Sequence, residues 1–279
     1  MGTLTPAAVV VILVFAGLFG LAIGSFLNVV VYRVPAAIPL TRESRCPGCD
    51  EPVRPWQNIP VVSWIALRAR CAECAAPISV RYPLVETATA VAFVVISWVA
   101  IDPVVFATGR GWDAAVVTVA YLYLAAISIA LTLIDLDTRR LPDAIVLPAY
   151  GVLGVLFTVA CALGTPWEAL LRAVAGGAAL FAFFFLLRVV RPGGMGGGDV
   201  KLAGVLGAAL AWIGWGAFAV GAFAAFVLGG VFAVGLMAAG RAGRRSAIPF
   251  GPWMIAGAWL GVFAGEQLAG WYVGMLVAG

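Results

Sequence analysis

Apolar residues run along this chain in long stretches that few charged residues interrupt. They do not alternate as in half-buried strands, nor keep to one face as in the helices of a soluble domain. An α-helix needs about 20 consecutive apolar residues to cross the hydrocarbon of a bilayer. Eight stretches approach that length, at about 6–32, 84–101, 114–134, 144–163, 168–190, 202–217, 218–239 and 253–275. The division near 217 has the weakest signal, because no charge separates the two runs. The first stretch begins without a basic leader and has no clear small-residue cleavage site before Arg33, so it reads as a retained span and not a signal peptide. The pattern predicts an all-α polytopic membrane protein of about eight transmembrane helices. Composition agrees: 63% of the 279 residues are hydrophobic and only 11% are charged, against about 45–50% apolar in a soluble domain.

Lys and Arg collect on the cytoplasmic side of a membrane protein. With eight alternating spans, nearly all 17 basic residues fall on one face, and only Arg110 and Arg172 lie toward the other. This places both termini outside and the long 34–83 segment in the cytoplasm. The net charge of +4 reflects that bias and calls for no nucleic-acid partner. Three parts follow: the first span with its GxxxGSFLN motif (1–33), a cytoplasmic cysteine-bearing segment (34–83), and seven remaining spans (84–279).

Four of the five cysteines lie in that segment, as CPGC (Cys46, Cys49) and CAEC (Cys71, Cys74). Each CxxC turn brings two thiolates to one side of a tight loop, and two such knuckles supply the four tetrahedral ligands of a structural zinc or a similar thiophilic metal. Disulfides are disfavoured in a reducing cytoplasm, and a segment this short and polar has little core to fold around without a metal. Gly48 is expected to let the first knuckle fold back on itself. Cys161, inside a span, reads as a small packing residue.

Among the 13 acidic residues, a few stand at a membrane rim. Asp135 directly follows the apolar run AAISIALTLI, and Asp143 precedes AIVLP, where it is expected to cap the fourth span. Asp199 ends the glycine-rich stretch MGGGD before the sixth span. The topology drawn from Lys and Arg alone brings Asp135 and Asp199 to the same, cytoplasmic, edge. Rim carboxylates are costly unless they face a partner or an aqueous cavity. Two that share a cavity divide one proton, so that one serves as acid and the other as base toward water. Gly193, Gly194, Gly196, Gly197 and Gly198 are expected to free the loop, to let a substrate main chain approach and to carry Asp199 toward Asp135. A helix cap is the plainer role for Asp199. Lys201 either tunes Asp199 or faces lipid headgroups. Asn28 hydrogen-bonds a substrate backbone or a neighbouring helix. Glu86 pairs with Arg81 or Arg33, or binds a positive leader. Gly20 and Gly24 form a small-xxx-small pattern suited to close helix packing. The chain has no His, which weighs against Ser-His hydrolases and His-ligated metalloproteases, and RPGGMGGGDVKL lacks the phosphate-loop pattern.

These motifs, in this order, resemble the bacterial prepilin peptidases, also called type IV prepilin leader peptidases, which are integral-membrane aspartic proteases. The resemblance rests on Gly196-Gly197-Gly198-Asp199 with Lys201, on Asp135 followed by Leu141-Pro142-Asp143, on Gly24-Ser25-Phe26-Leu27-Asn28, on the paired CxxC knuckles, and on RYPLVE and IPFGP. It implies Asp135 and Asp199 as the catalytic pair. It also implies prepilins and pseudopilins as substrates, cut after a Gly at the end of a short basic leader on the cytoplasmic face. In bifunctional members the new N-terminal amine is then methylated with S-adenosylmethionine, an activity linked to the cysteine-bearing region that this chain retains. Two other classes stand beside this reading. A proton-coupled transporter would use the rim aspartates as relays, although transporter sites usually lie at the midplane. A non-enzymatic secretion-system scaffold would explain the cysteines but not the aspartate loops.

Overall fold

A computed structural model describes residues 5–101, 111–191, 195–240, 243 and 249–278. Each of the eight apolar stretches is a helix, and a short helix is added in the cysteine segment. In chain order they are α1 (Pro6–Arg33), α2 (Val62–Ala66), α3 (Arg81–Val99), α4 (Trp112–Thr138), α5 (Asp143–Ala162), α6 (Trp167–Val190), α7 (Gly197–Ile213), α8 (Trp215–Ala238) and α9 (Gly251–Ala278). Six of them, α1, α3, α4, α5, α6 and α8, are long and apolar enough to cross a membrane. The protein is a multi-pass, all-helical membrane protein. Gly193, Gly194, Arg110 and the basic cluster at 241, 244 and 245 lie outside the described residues.

The break between the sixth and seventh stretches falls at Gly214 and not near 217. Gly214 is fully extended (φ 175°, ψ 172°), so α7 ends after 17 residues, and charged side chains cap both helices at the break. Arg172 donates to the last carbonyls of α7, those of Ala211 and Trp212 at 2.6 Å and Ile213 at 3.2 Å. Glu266 accepts the Ala217 N–H of α8 at 2.9 Å. A cation at a helix C-terminus and an anion at an N-terminus both oppose the helix dipole favourably. Glu266, deep in an apolar run, thus serves as a helix cap.

The chain packs as two units. The first comprises Met1–Ile101 with Tyr121–Leu133. Here α1 lies against α3 at backbone distance, because a Cβ on Gly20 would stand 2.7 Å from Ala90 Cα and one on Gly24 2.6 Å from Glu86 Cα. The small-xxx-small expectation holds. The second unit comprises Asp102–Ala120 with Ile134–Gly279. In it α7 is the buried helix: Trp212 is fully enclosed and stacks on Phe157 with ring centroids 4.2 Å apart. Cys161 is buried there, as its packing role requires.

Candidate active site

Asp135 sits near the end of α4, 4% exposed. Its Oδ2 accepts the N–H of Gly251 at 3.1 Å, and Gly251 is the first residue of α9. A second helix start holds Asp199, in the first turn of α7. The Asp199 carboxylate folds back to accept the Gly196 N–H at 3.1 Å. Both carboxylates therefore stand where free amides and the positive end of a helix dipole favour an anion. They are near enough to interact electrostatically. Asp199 does play the expected capping part, and its neighbourhood with Asp135 is a further property that a cap alone does not require.

Leu141 joins the two. It is buried, and a Cβ on Gly198 would lie 2.7 Å from its Cβ. A Cβ on Gly251 would lie 3.4 Å from its Cδ2 and 2.7 Å from Asp135 Oδ2. Gly198 is thus explained by close approach to Leu141, while a Cβ on Gly196 would meet only the Asp199 carboxylate, at 2.8 Å. Gly196 has φ −68°, and neither residue is among the described positive-φ positions, so neither needs glycine for its backbone angles.

Asp143 is not the cap of α5. Pro142 holds that position, and Asp143 is the first helical residue. Its carboxylate, displaced from capping geometry by one residue, takes both bonds of Lys201 Nζ, at 2.8 and 2.7 Å. Tyr150 on α5 donates to the Lys201 carbonyl. Lys201 therefore ties the start of α5 to the start of α7. The Gly251 amide went unassigned in the sequence. IPFGP marked the place, but only the fold brings it to Asp135.

In the first unit the two knuckles repeat one geometry. Cys46 N–H donates to the Glu51 carbonyl and Cys71 N–H to that of Ala76, while the Asp50 and Ala75 amides return to the Cys46 and Cys71 carbonyls. Asp50 and Ala75 take the left-handed conformation that closes each turn. That position falls one residue after the second cysteine, not on Gly48. A Cβ on Gly48 would lie 3.2 Å from Ala76 Cβ and 3.5 Å from Cys74 Sγ, so close packing of the knuckles explains this glycine. The four sulfurs lie within 4.8 Å of one another, and Cys46 Sγ stands 3.7 Å from Cys74 Sγ. Zn–S bonds of about 2.3 Å in a tetrahedron give sulfur separations of about 3.8 Å. The Gly48 and Cys49 amides hold the Cys46 thiol down to about 7. At Cys49 the Glu51 amide pulls the same way, but the neighbouring Cys74 thiol and burial prevail and push it up to about 12. Four sulfurs this close cannot all be thiolates unless a cation joins them, and the cluster can hold a metal ion.

Glu86, 6% exposed, pairs with neither Arg81 nor Arg33. It accepts the Val61 N–H at 2.7 Å and meets the Ser25 hydroxyl. Arg33 is occupied by the carbonyls of Pro39, Leu40 and Arg42 and by Ser44 Oγ. Asn28 donates to the Tyr82 carbonyl at 3.2 Å, which is the neighbouring-helix alternative.

Fold and site together define a membrane-embedded helical protein with a paired-carboxylate centre and a four-cysteine knuckle. Residues 18–100 match the bacterial peptidase A24 N-terminal domain, and residues 122–234 match the type IV leader peptidase family. The chain is 35% identical over 285 residues to the prepilin leader peptidase/N-methyltransferase of Aeromonas hydrophila, covering 92% of each chain. It is 38% identical over 246 residues to that of Neisseria gonorrhoeae, covering 79% of each. With that of Pseudomonas aeruginosa it shares 34% over 283 residues, 92% of this chain and 91% of the relative. No solved structure matches. The chain belongs to the type IV leader peptidase family.

Proposed function

We propose that this protein removes the short basic leader from type IV prepilins and pseudopilins after a Gly, and then methylates the new N-terminal amine. The observation that carries the peptidase half is the pair of carboxylates Asp135 and Asp199, held at two helix starts and interacting with each other. One carboxylate, ionised, takes a proton from the attacking water. The other, protonated, donates to the scissile carbonyl oxygen, and the proton taken from water then passes to the departing amine. No acyl-enzyme forms. Gly196, Gly198 and Lys201 support the loop that holds Asp199. The active site faces the cytoplasm, with both termini outside, because the basic residues gather on that side. The substrate's apolar helix enters from the surrounding lipid. The four cysteines hold Zn2+ as a structural ion, and S-adenosylmethionine supplies the methyl group. Neither the transporter nor the scaffold reading draws support from the three relatives reported above, each named prepilin leader peptidase/N-methyltransferase.

The test is a membrane assay with a prepilin bearing a basic leader and a Gly–Phe junction, read by mass spectrometry. Wild type removes the leader. Asp135→Asn and Asp199→Asn do not, although both insert normally. Equal processing by wild type and both variants would remove the aspartates from the mechanism.

A further inference from the structure

The peptidase chemistry uses nothing in the first unit, yet that unit buries a carboxylate. Glu86 stands one and a half turns into α3, and its partners are a backbone amide and a hydroxyl. Among the described residues no cation pairs with it. A carboxylate removed from water without a counter-charge is costly, and it is satisfied by a cation or a proton. Structural needs alone would be met by Gln or Thr, which accept a backbone N–H as well and carry no charge to desolvate.

The amide it holds is unusual. Val61 has φ 60° and ψ −48°, a genuine outlier for a β-branched residue. Such strain persists only where the surroundings over-determine it, and it gathers at ligand clamps and active sites. Here the restraint is visible: Val61 directs its N–H at Glu86, and the backbones of α1 and α3 meet at Gly24 and Glu86 with no room for a Cβ. Ser25, next to that contact, adds the second partner. The site is built from three separate chain segments.

We infer that Glu86 binds the α-ammonium of the trimmed pilin and accepts its proton for methylation. This rests on the methyltransferase reading above. The reaction's participants, an ammonium and a sulfonium, are both cations, which fits a buried carboxylate lacking a counter-ion. The ammonium gives one proton to the Glu86 carboxylate. The freed nitrogen lone pair forms the N–C bond to the methyl carbon of the sulfonium donor, and the C–S bond breaks with its electron pair going to sulfur. A secondary ammonium and a neutral thioether result. The Val61 amide and Ser25 hydroxyl fix the carboxylate's direction and are positioning groups.

The experiment uses full-length protein in detergent and a synthetic, already trimmed pilin peptide beginning with Phe, so that leader cleavage plays no part. Binding is measured by calorimetry for the free and the N-acetylated peptide, and methyl transfer from S-adenosylmethionine by mass spectrometry. Wild type prefers the free amine by about tenfold or more, as a charge-assisted hydrogen bond requires, and methylates it. Glu86→Gln keeps an acceptor for the Val61 N–H. It unfolds at the wild-type temperature but loses both the preference and the methylation. A Glu86→Gln protein that still prefers the free amine as wild type does overturns the assignment, whether or not methylation falls. So does one that methylates at the wild-type rate. If wild type itself transfers no methyl group, the methyltransferase reading falls and takes this inference with it.

Discussion

Gly198→Ala is the smallest change that should disable the paired-carboxylate centre without touching either carboxylate. The added Cβ would stand 2.7 Å from Leu141 Cβ and 3.3 Å from the Leu141 carbonyl oxygen. Unbonded carbons settle at about 3.5–4.0 Å, so roughly 1 Å must be found. Leu141 cannot yield by rotating, because its Cβ is fixed to the backbone and the residue is buried. The start of α7 must move instead, and Asp199 moves with it. Overpacking of this kind costs about 1–3 kcal/mol. A shift of about 1 Å between reacting groups costs on the order of 100-fold in rate. The loss should appear in kcat and leave KM nearly unchanged, since no substrate-contacting group is removed. Gly154→Ala on α5 is the matched control: a Cβ there meets nothing within 4 Å, and cleavage should proceed at the wild-type rate. The assay is the initial rate of prepilin cleavage by equal amounts of folded enzyme. A Gly198→Ala enzyme with wild-type kcat would show that the Leu141 contact does not set the position of Asp199.

The ion pair between Lys201 and Asp143 is partly solvated, with side chains 37% and 55% exposed. Lys201→Met should therefore cost no more than about 1 kcal/mol of stability while slowing cleavage severalfold. The reversed pair, Asp143→Lys with Lys201→Asp, should recover part of the rate in a double-mutant cycle, and no recovery would deny the pair a positioning role. Replacing Cys49 and Cys74 by Ser should lower bound zinc, measured by elemental analysis, from near one ion per chain to near none. Unchanged metal content would place the ion elsewhere. In wild type the metal should be released on acidification, because binding requires thiolates and protons compete for them.

What the sequence made legible were features written in local spacing. A span is legible because the bilayer fixes how many apolar residues it needs, and the runs at 6–32 and 168–190 meet α1 and α6 almost residue for residue. The knuckles are legible because a metal fixes the spacing of its ligands. Asp135 and Asp199 could be matched as neighbours because charge bias gives direction to each span, and the two carboxylates do interact. Contacts between distant segments were not legible. Asp143 was placed within one residue of its true position, yet that one residue turns a cap into the partner of Lys201, 58 positions away. Glu86 had two arginines within reach by sequence and took the Val61 amide instead. The glycines of MGGGD suggested freedom of the backbone, whereas the fold uses Gly198 for contact with Leu141, a distinction that composition does not carry.

The same physics connects the two motifs that flank the site. A carboxylate withdrawn from water needs donors, and a helix start offers free N–H groups and a favourable dipole. In MGGGD the carboxylate belongs to the helix that serves it, Asp199 reaching back to Gly196. In IPFGP the helix serves a carboxylate from another chain segment, and Phe250, Gly251 and Pro252 each have a part. Phe250 accepts the first amides of the helix, those of Trp253 and Met254, and its ring is held against Phe184 and Phe226. Gly251 must lack a Cβ, because Asp135 Oδ2 would lie 2.7 Å from it. Pro252 stands in the first turn, where its missing N–H is not needed and its fixed φ favours the helix. The two acids thus share one solution in two forms. It follows that Asp135 depends on the anchoring of α9 through Phe250, whereas Asp199 carries its support in its own helix.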